Sequence, residues 1–168
     1  FAGPLFTFIM IWIGASFLGE HKTHRQKSFG FALIFANMPF ARILTTAMGG
    51  GDEVWGLNHL WKNHNLAWAI GLSVILLITL YPLYKAFKTI KNRIRIGWFL
   101  LFLLATLALD VLIVLGVLNT MMEKGVLSSY WILGSPILVT EWTIFVTALF
   151  IVTRKHIYTL ANNQFKKI

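Results

Sequence analysis

Hydrophobic positions in this chain gather into five long runs, at about 1–19, 28–48, 66–84, 97–120 and 129–153, separated by short polar connectors. A helix that crosses a bilayer needs roughly 20 mostly apolar residues, because a rise of ~1.5 Å per residue must cover ~30 Å of hydrocarbon. All five runs meet that length. The pattern predicts an all-α fold, a polytopic membrane helical bundle of about five transmembrane helices, forming one integral membrane domain over residues 1–168. No internal repeat or second domain is visible.

The connectors add an orientation. Residues 20–27 carry Lys22, Arg25 and Lys27, residues 85–95 carry Lys85, Lys88, Lys91, Arg93 and Arg95, and the tail carries Arg154, Lys155, Lys166 and Lys167. The intervening connectors, 49–65 and 121–128, have one lysine each, Lys62 and Lys124. Lys and Arg near membrane spans are retained on the cytoplasmic side. Strict alternation of basic and non-basic connectors therefore predicts the N-terminal end outside and the C-terminal tail in the cytoplasm. Trp55, Trp61, Trp68, Tyr81, Tyr84, Trp98, Tyr130 and Trp131 cluster near the predicted boundaries, where amphipathic rings are favoured.

Composition narrows the function classes. With 57% hydrophobic and 12% charged residues the chain is neither disordered nor built for water. Its net charge of +9 is used up by topology and can attract anionic headgroups, so the lipid bilayer is the expected partner and nucleic acid is not. There is no cysteine, and any metal must be held by His, Asp or Glu.

Three ionisable residues lie inside the runs: Arg42, Asp110 and Glu141. Each costs at least ~2.5 kcal/mol at a helix centre, so each needs a partner or a task. Counted along continuous helices they fall at similar depth, ~20 Å from the basic side for Arg42 and Asp110. Two main readings are open, beside a side chain that reaches an interface by snorkelling or through a shifted boundary. Arg42 neutralises one carboxylate while the other is protonated, or the three line a proton, cation or catalytic path. Pro39 and Gly134-Ser135-Pro136 interrupt two runs and free backbone groups that lipid cannot satisfy. Gly49-Gly50-Gly51 ends the second run and lets the chain turn sharply, bringing Asp52 and Glu53 near the helix end.

His21 and His24 form an H-x-x-H, and His59 and His64 an H-x4-H, in connectors that the charge argument puts on opposite sides, so they form no shared centre. They read as solvated or headgroup-facing. H-E-x-x-H, G-x-S-x-G and a phosphate-binding glycine loop do not occur in these residues.

Two local patterns resemble the site-2 protease family of intramembrane zinc metallopeptidases. Ala2-Gly3-Pro4-Leu5 is similar to the start of the span that follows that family's zinc helix, and Ala36-Asn37-Met38-Pro39-Phe40 with Gly49-Gly50-Gly51-Asp52-Glu53 resembles its later Asn-Pro and acidic-glycine segment. The resemblance covers about the first 55 residues. It implies a membrane-embedded hydrolase with zinc as cofactor, Asp52 as the carboxylate metal ligand, Asn37 and Pro39 shaping an unwound stretch, and a transmembrane protein as substrate. Here Pro39 stands two residues after Asn37, and Glu53 follows Asp52 where the family has glycine. The family's H-E-x-x-H would have to precede Phe1, so the chain is expected to be a fragment whose catalytic residues are unknown. A non-enzymatic multi-pass scaffold or partner subunit held by the intramembrane charges, and a proton-coupled transporter using midplane carboxylates, are the alternatives.

Overall fold

The computed structural model describes residues 2–118, 120–121, 124–125 and 137–162, without the side chains of residues 2–4, 52, 110, 114–115 and 138–139. Among the described residues there is no strand, and seven α-helices follow in order: α1 (Ala2–Ser16), α2 (His24–Ala36), α3 (Pro39–Ala47), α4 (Asp52–Trp61), α5 (His64–Thr89), α6 (Arg95–Asp110) and α7 (Ile137–Asn162). A π-helical stretch, Val111–Leu118, continues α6. Four segments are long and apolar enough to cross a membrane: His24–Ala47, His64–Thr89, Arg95–Leu118 and Thr140–Asn162, with a shorter apolar helix at Leu5–Ser16. Each overlaps one of the five hydrophobic runs, the last continuing beyond residue 153 through Arg154 and Lys155 to Asn162. The break expected at Gly134-Ser135-Pro136, and Tyr130 and Trp131, lie outside the described residues.

The segment formed by α2 and α3 is the centre of the bundle: 61% of its apolar window is buried, against at most 33% for the other three. Burial is unbroken from Gly30 to Asn37, which is why this stretch is apolar on every face. Phe31 and Phe35 meet Phe102 of α6 at ring distances of 5.3 and 5.4 Å. Around them Ile11 and Ala15 of α1, Leu83 and Ala86 of α5, and Tyr158 and Ala161 of α7 close the core. A capping box starts α2: the Gln26 N–H donates to Thr23 Oγ1 and the Thr23 N–H donates to Gln26 Oε1, satisfying two donors that the helix cannot.

The connector read as a loop over 49–65 contains a helix, α4. Its start is fixed by the glycine turn and by two acidic residues in the first turn, which suit the positive end of the helix dipole. Val54 packs inward, while Trp55, Leu60 and Trp61 are exposed, the pattern of a helix lying at an interface.

The ends of α1, α5 and α7 meet at one end of the bundle. Lys85 Nζ donates to the Ala15 carbonyl at 3.3 Å, and the Lys91 N–H to Asn162 Oδ1 at 3.0 Å. The described parts of the three basic segments therefore lie at one end of the bundle, as alternating helix directions require.

Pro82, buried within α5, has no N–H to give to the Ile78 carbonyl four residues back. The Trp12 indole of α1 supplies the missing donor, with Nε1 3.1 Å from Ile78 O, while its ring stacks on Tyr81 at 5.4 Å. A neighbouring helix thus repairs what proline removes. Trp12→Phe keeps an aromatic ring and loses the hydrogen bond; it is expected to cost about 1 kcal/mol, within the range of interhelical bonds in membranes, or about 2–4 °C in melting temperature. In a Pro82→Ala background, where the helix can satisfy its own carbonyl, the loss should shrink. Equal losses in both backgrounds, read by circular dichroism in detergent, would show that the indole does not serve this carbonyl.

Candidate functional site

Two of the sequence elements that resemble a protease bracket α3, the break at its start and the glycine turn at its end. Pro39 sits at the first position of α3, where a missing N–H is harmless and its fixed φ suits a helix start. The helix above must end before it. Asn37 caps α2 by donating from Nδ2 to the Leu33 carbonyl at 2.8 Å, and the Met38 N–H donates to the Phe35 carbonyl at 3.1 Å. Met38 then takes a left-handed conformation (φ 46°, ψ 53°), which costs a non-glycine residue on the order of 1–2 kcal/mol. The helix breaks between Asn37 and Pro39, and both residues are buried within protein.

At the other end of α3 the three glycines form a turn rather than a free loop. The Gly49 N–H donates to the Thr46 carbonyl and the Gly50 N–H to the Thr45 carbonyl, both at 3.0 Å. Gly51 stands at φ 90°, ψ 153°, a region open essentially to glycine alone, and begins α4. The Trp68 indole of α5 donates to the Ala47 carbonyl at 3.2 Å and holds the turn from the side.

This turn folds the acidic start of α4 back onto α3. Arg42 Nη1 lies 3.2 Å from Glu53 Oε1, with side-chain exposures of 27% and 11%. Arg42 thus has a carboxylate partner eleven residues along the chain. Asp110 ends the α-helical part of α6, at the junction with the π-helical stretch, and its side chain is outside the description. Glu141 is exposed on α7. The pairing of Arg42 with Glu53 was hidden because it needs the exact turn, although the Gly49-Gly50-Gly51-Asp52-Glu53 string was its only visible sign.

Thr46 is fully buried, and its hydroxyl has no partner among the described residues. It faces Gly51: a Cβ there would lie 3.5 Å from Thr46 Oγ1 and 3.0 Å from Glu53 Oε2. A side chain at residue 51 would fill the small polar space that these oxygens line.

A catalytic zinc site takes three protein ligands and leaves one position open. Among the described residues no three His, Asp or Glu side chains converge. Asp52 stands at the first position of α4, and the adjacent Glu53 is engaged by Arg42. The histidines separate as the charge pattern indicated. His24 lies edge-on to Tyr158 at 4.8 Å at the basic end, whereas His64 at the start of α5 lies beside Gly49. No protein-family model, curated protein or solved structure matches this chain.

Proposed function

We propose that the chain is part of a membrane-embedded zinc metallopeptidase, with its basic end in the cytoplasm, acting on transmembrane protein segments. The observation that carries this reading is the ordered pair on one central segment: a break at Asn37-Met38-Pro39, then a glycine turn after which Asp52 begins α4 and Glu53 pairs with Arg42 of α3. A helical substrate must unwind before its peptide bond can be attacked, and irregular backbone survives at membrane depth only where protein or a water-lined cavity covers it. The imidazole donors and the general base would come from outside these 168 residues. Zinc, when bound, lowers the pKa of a coordinated water toward 7. Within this chain Asp52 would hold the metal, Arg42 would fix the first turn of α4 through Glu53, and Asn37 and Pro39 would keep the break at the start of α3.

The test uses protein expressed from its complete reading frame and purified in detergent. About one zinc per chain is expected by elemental mass spectrometry. Asp52→Ala should weaken zinc binding by at least about tenfold, the loss seen even for groups that only support a ligand, with helix content unchanged. Zinc below about a tenth of an equivalent, or binding unaltered in Asp52→Ala, would refute the reading. The second reading, a non-enzymatic scaffold, is favoured by the Arg42–Glu53 pair itself, which ties α3 to α4 without any need for a metal.

A further inference from the structure

At the basic end of the bundle a cavity of about 790 Å³ opens between the α1–α2 connector, the last turns of α5 and the end of α7. Lys27, Lys85, Lys88 and Lys91 line it, against a single carboxylate, Glu20. We propose that this cavity holds the phosphate of an anionic phospholipid whose acyl chains lie along the outer face of α5. The site is separate from the break and glycine turn described above.

Charge is the first argument. The C-terminal carbonyls of α1, α5 and α7 give this end a partial negative charge that one or two cations would offset. Lys27 Nζ donates to the Glu20 carbonyl at 3.1 Å and Lys85 Nζ to the Ala15 carbonyl at 3.3 Å, and each ammonium has further N–H donors to give. The ammonium groups of Lys88 and Lys91 have no carbonyl or carboxylate partner among the described residues. What remains is an excess of positive donors around a space large enough for a headgroup.

The second argument distinguishes a lipid from a soluble phosphate. The outer face of α5 carries Leu77 and Leu80, then Tyr81 and Tyr84, then Lys85 and Lys88. Leu77 is 77% exposed and Tyr84 56%. Lys85 and Lys88 sit over the Tyr81 and Tyr84 rings at 5.1 and 5.7 Å from the centroids, which holds the cations at the level of the aromatic boundary. Eleven residues separate Leu77 from Lys88, ~16 Å at the helical rise and about one leaflet of hydrocarbon. An apolar stripe leading into an aromatic belt and then into lysines matches acyl chain, glycerol and phosphate in order. A free phosphate would use the lysines and leave the stripe without a role.

The experiment is native mass spectrometry of the detergent-purified protein after incubation with phosphatidylglycerol or with phosphatidylcholine of the same chains. Retention of phosphatidylglycerol is expected to exceed that of phosphatidylcholine by roughly tenfold or more. Lys88→Gln should lower phosphatidylglycerol binding roughly fivefold, and Lys85→Gln/Lys88→Gln/Lys91→Gln about a hundredfold. Lys62→Gln, in a connector at the other end, should leave it unchanged. Equal retention of the two lipids, or an equal loss in Lys62→Gln, overturns the proposal. So does inorganic phosphate that binds as tightly as the lipid, which would make this a site for a soluble anion. The single variant at exposed Lys88 keeps the test independent of whether the triple variant folds.

Discussion

Gly30→Val is expected to cost about 3 kcal/mol or more and to lower the melting temperature by about 10 °C, among the largest single-residue effects in this chain. Where α1 crosses α2, Gly14 and Gly30 face each other with no side chain between the backbones. A Cβ on Gly30 would overlap the Gly14 carbonyl oxygen and lie 2.7 Å from Phe17 Cβ, while a Cβ on Gly14 would lie 2.8 Å from the Gly30 carbonyl oxygen. These neighbours are backbone and a first side-chain carbon, so no rotamer change relieves the overlap. The helices must separate, and with them the contacts of Ile11 and Ala15 on the buried face of α2. Small residues allow such approaches in membranes, where lipid is as apolar as the side chains and close packing supplies the association energy. Gly116→Ala, where nothing lies within 4 Å of the added carbon, should stay within about 1 kcal/mol of the parent protein and serves as the control. Thermal unfolding in detergent, followed by tryptophan fluorescence, separates the two. A Gly30→Val protein that melts with its parent would show that the helices are not in backbone contact there.

How much of this was legible in the sequence follows from which forces act locally. Hydrophobic runs of bilayer length announce themselves residue by residue, and the described helices fall on them. Pro39 could be read as a break because proline lacks an N–H wherever it stands. Pro82 could not be placed in the same way, since the group that repairs its helix, Trp12, lies on a different span. Gly14 and Gly30 carried no signal either: a glycine in an apolar run shows that a close approach is possible, not which helix makes it. In the candidate site the glycine turn was visible, and α4 after it was not. Asp52–Trp61 is too short and too mixed in polarity to stand out from a connector, and its stability comes from packing Val54 and Leu57 around Gly71 of α5. Arg42 shows the same limit. Counting depth along ideal helices selects residues on other spans, whereas the break at Met38 and the turn at Gly51 bring a nearer carboxylate into reach.

That pair supports the second large prediction, a double-mutant cycle on Arg42 and Glu53. Removing one partner of a buried pair costs ~3–5 kcal/mol because the other charge is left without compensation. Arg42 is about a quarter exposed at 27%, so part of that cost is relieved by solvent and by its long stem. Glu53→Met is therefore expected to destabilise by about 2 kcal/mol, and Arg42→Met, which strands the less exposed carboxylate, by about 3 kcal/mol. Arg42→Met with Glu53→Met removes both charges and replaces them with flexible apolar side chains of similar length. It should lose only about 2 kcal/mol, less than Arg42→Met alone, which is a coupling of about 3 kcal/mol. The sign of that comparison carries the argument. A double variant that loses the sum of the two single losses would mean that the residues contribute independently, and that the 3.2 Å contact does not hold α4 against α3. A double variant that recovers stability would mean the pair is costly to break but not needed for folding.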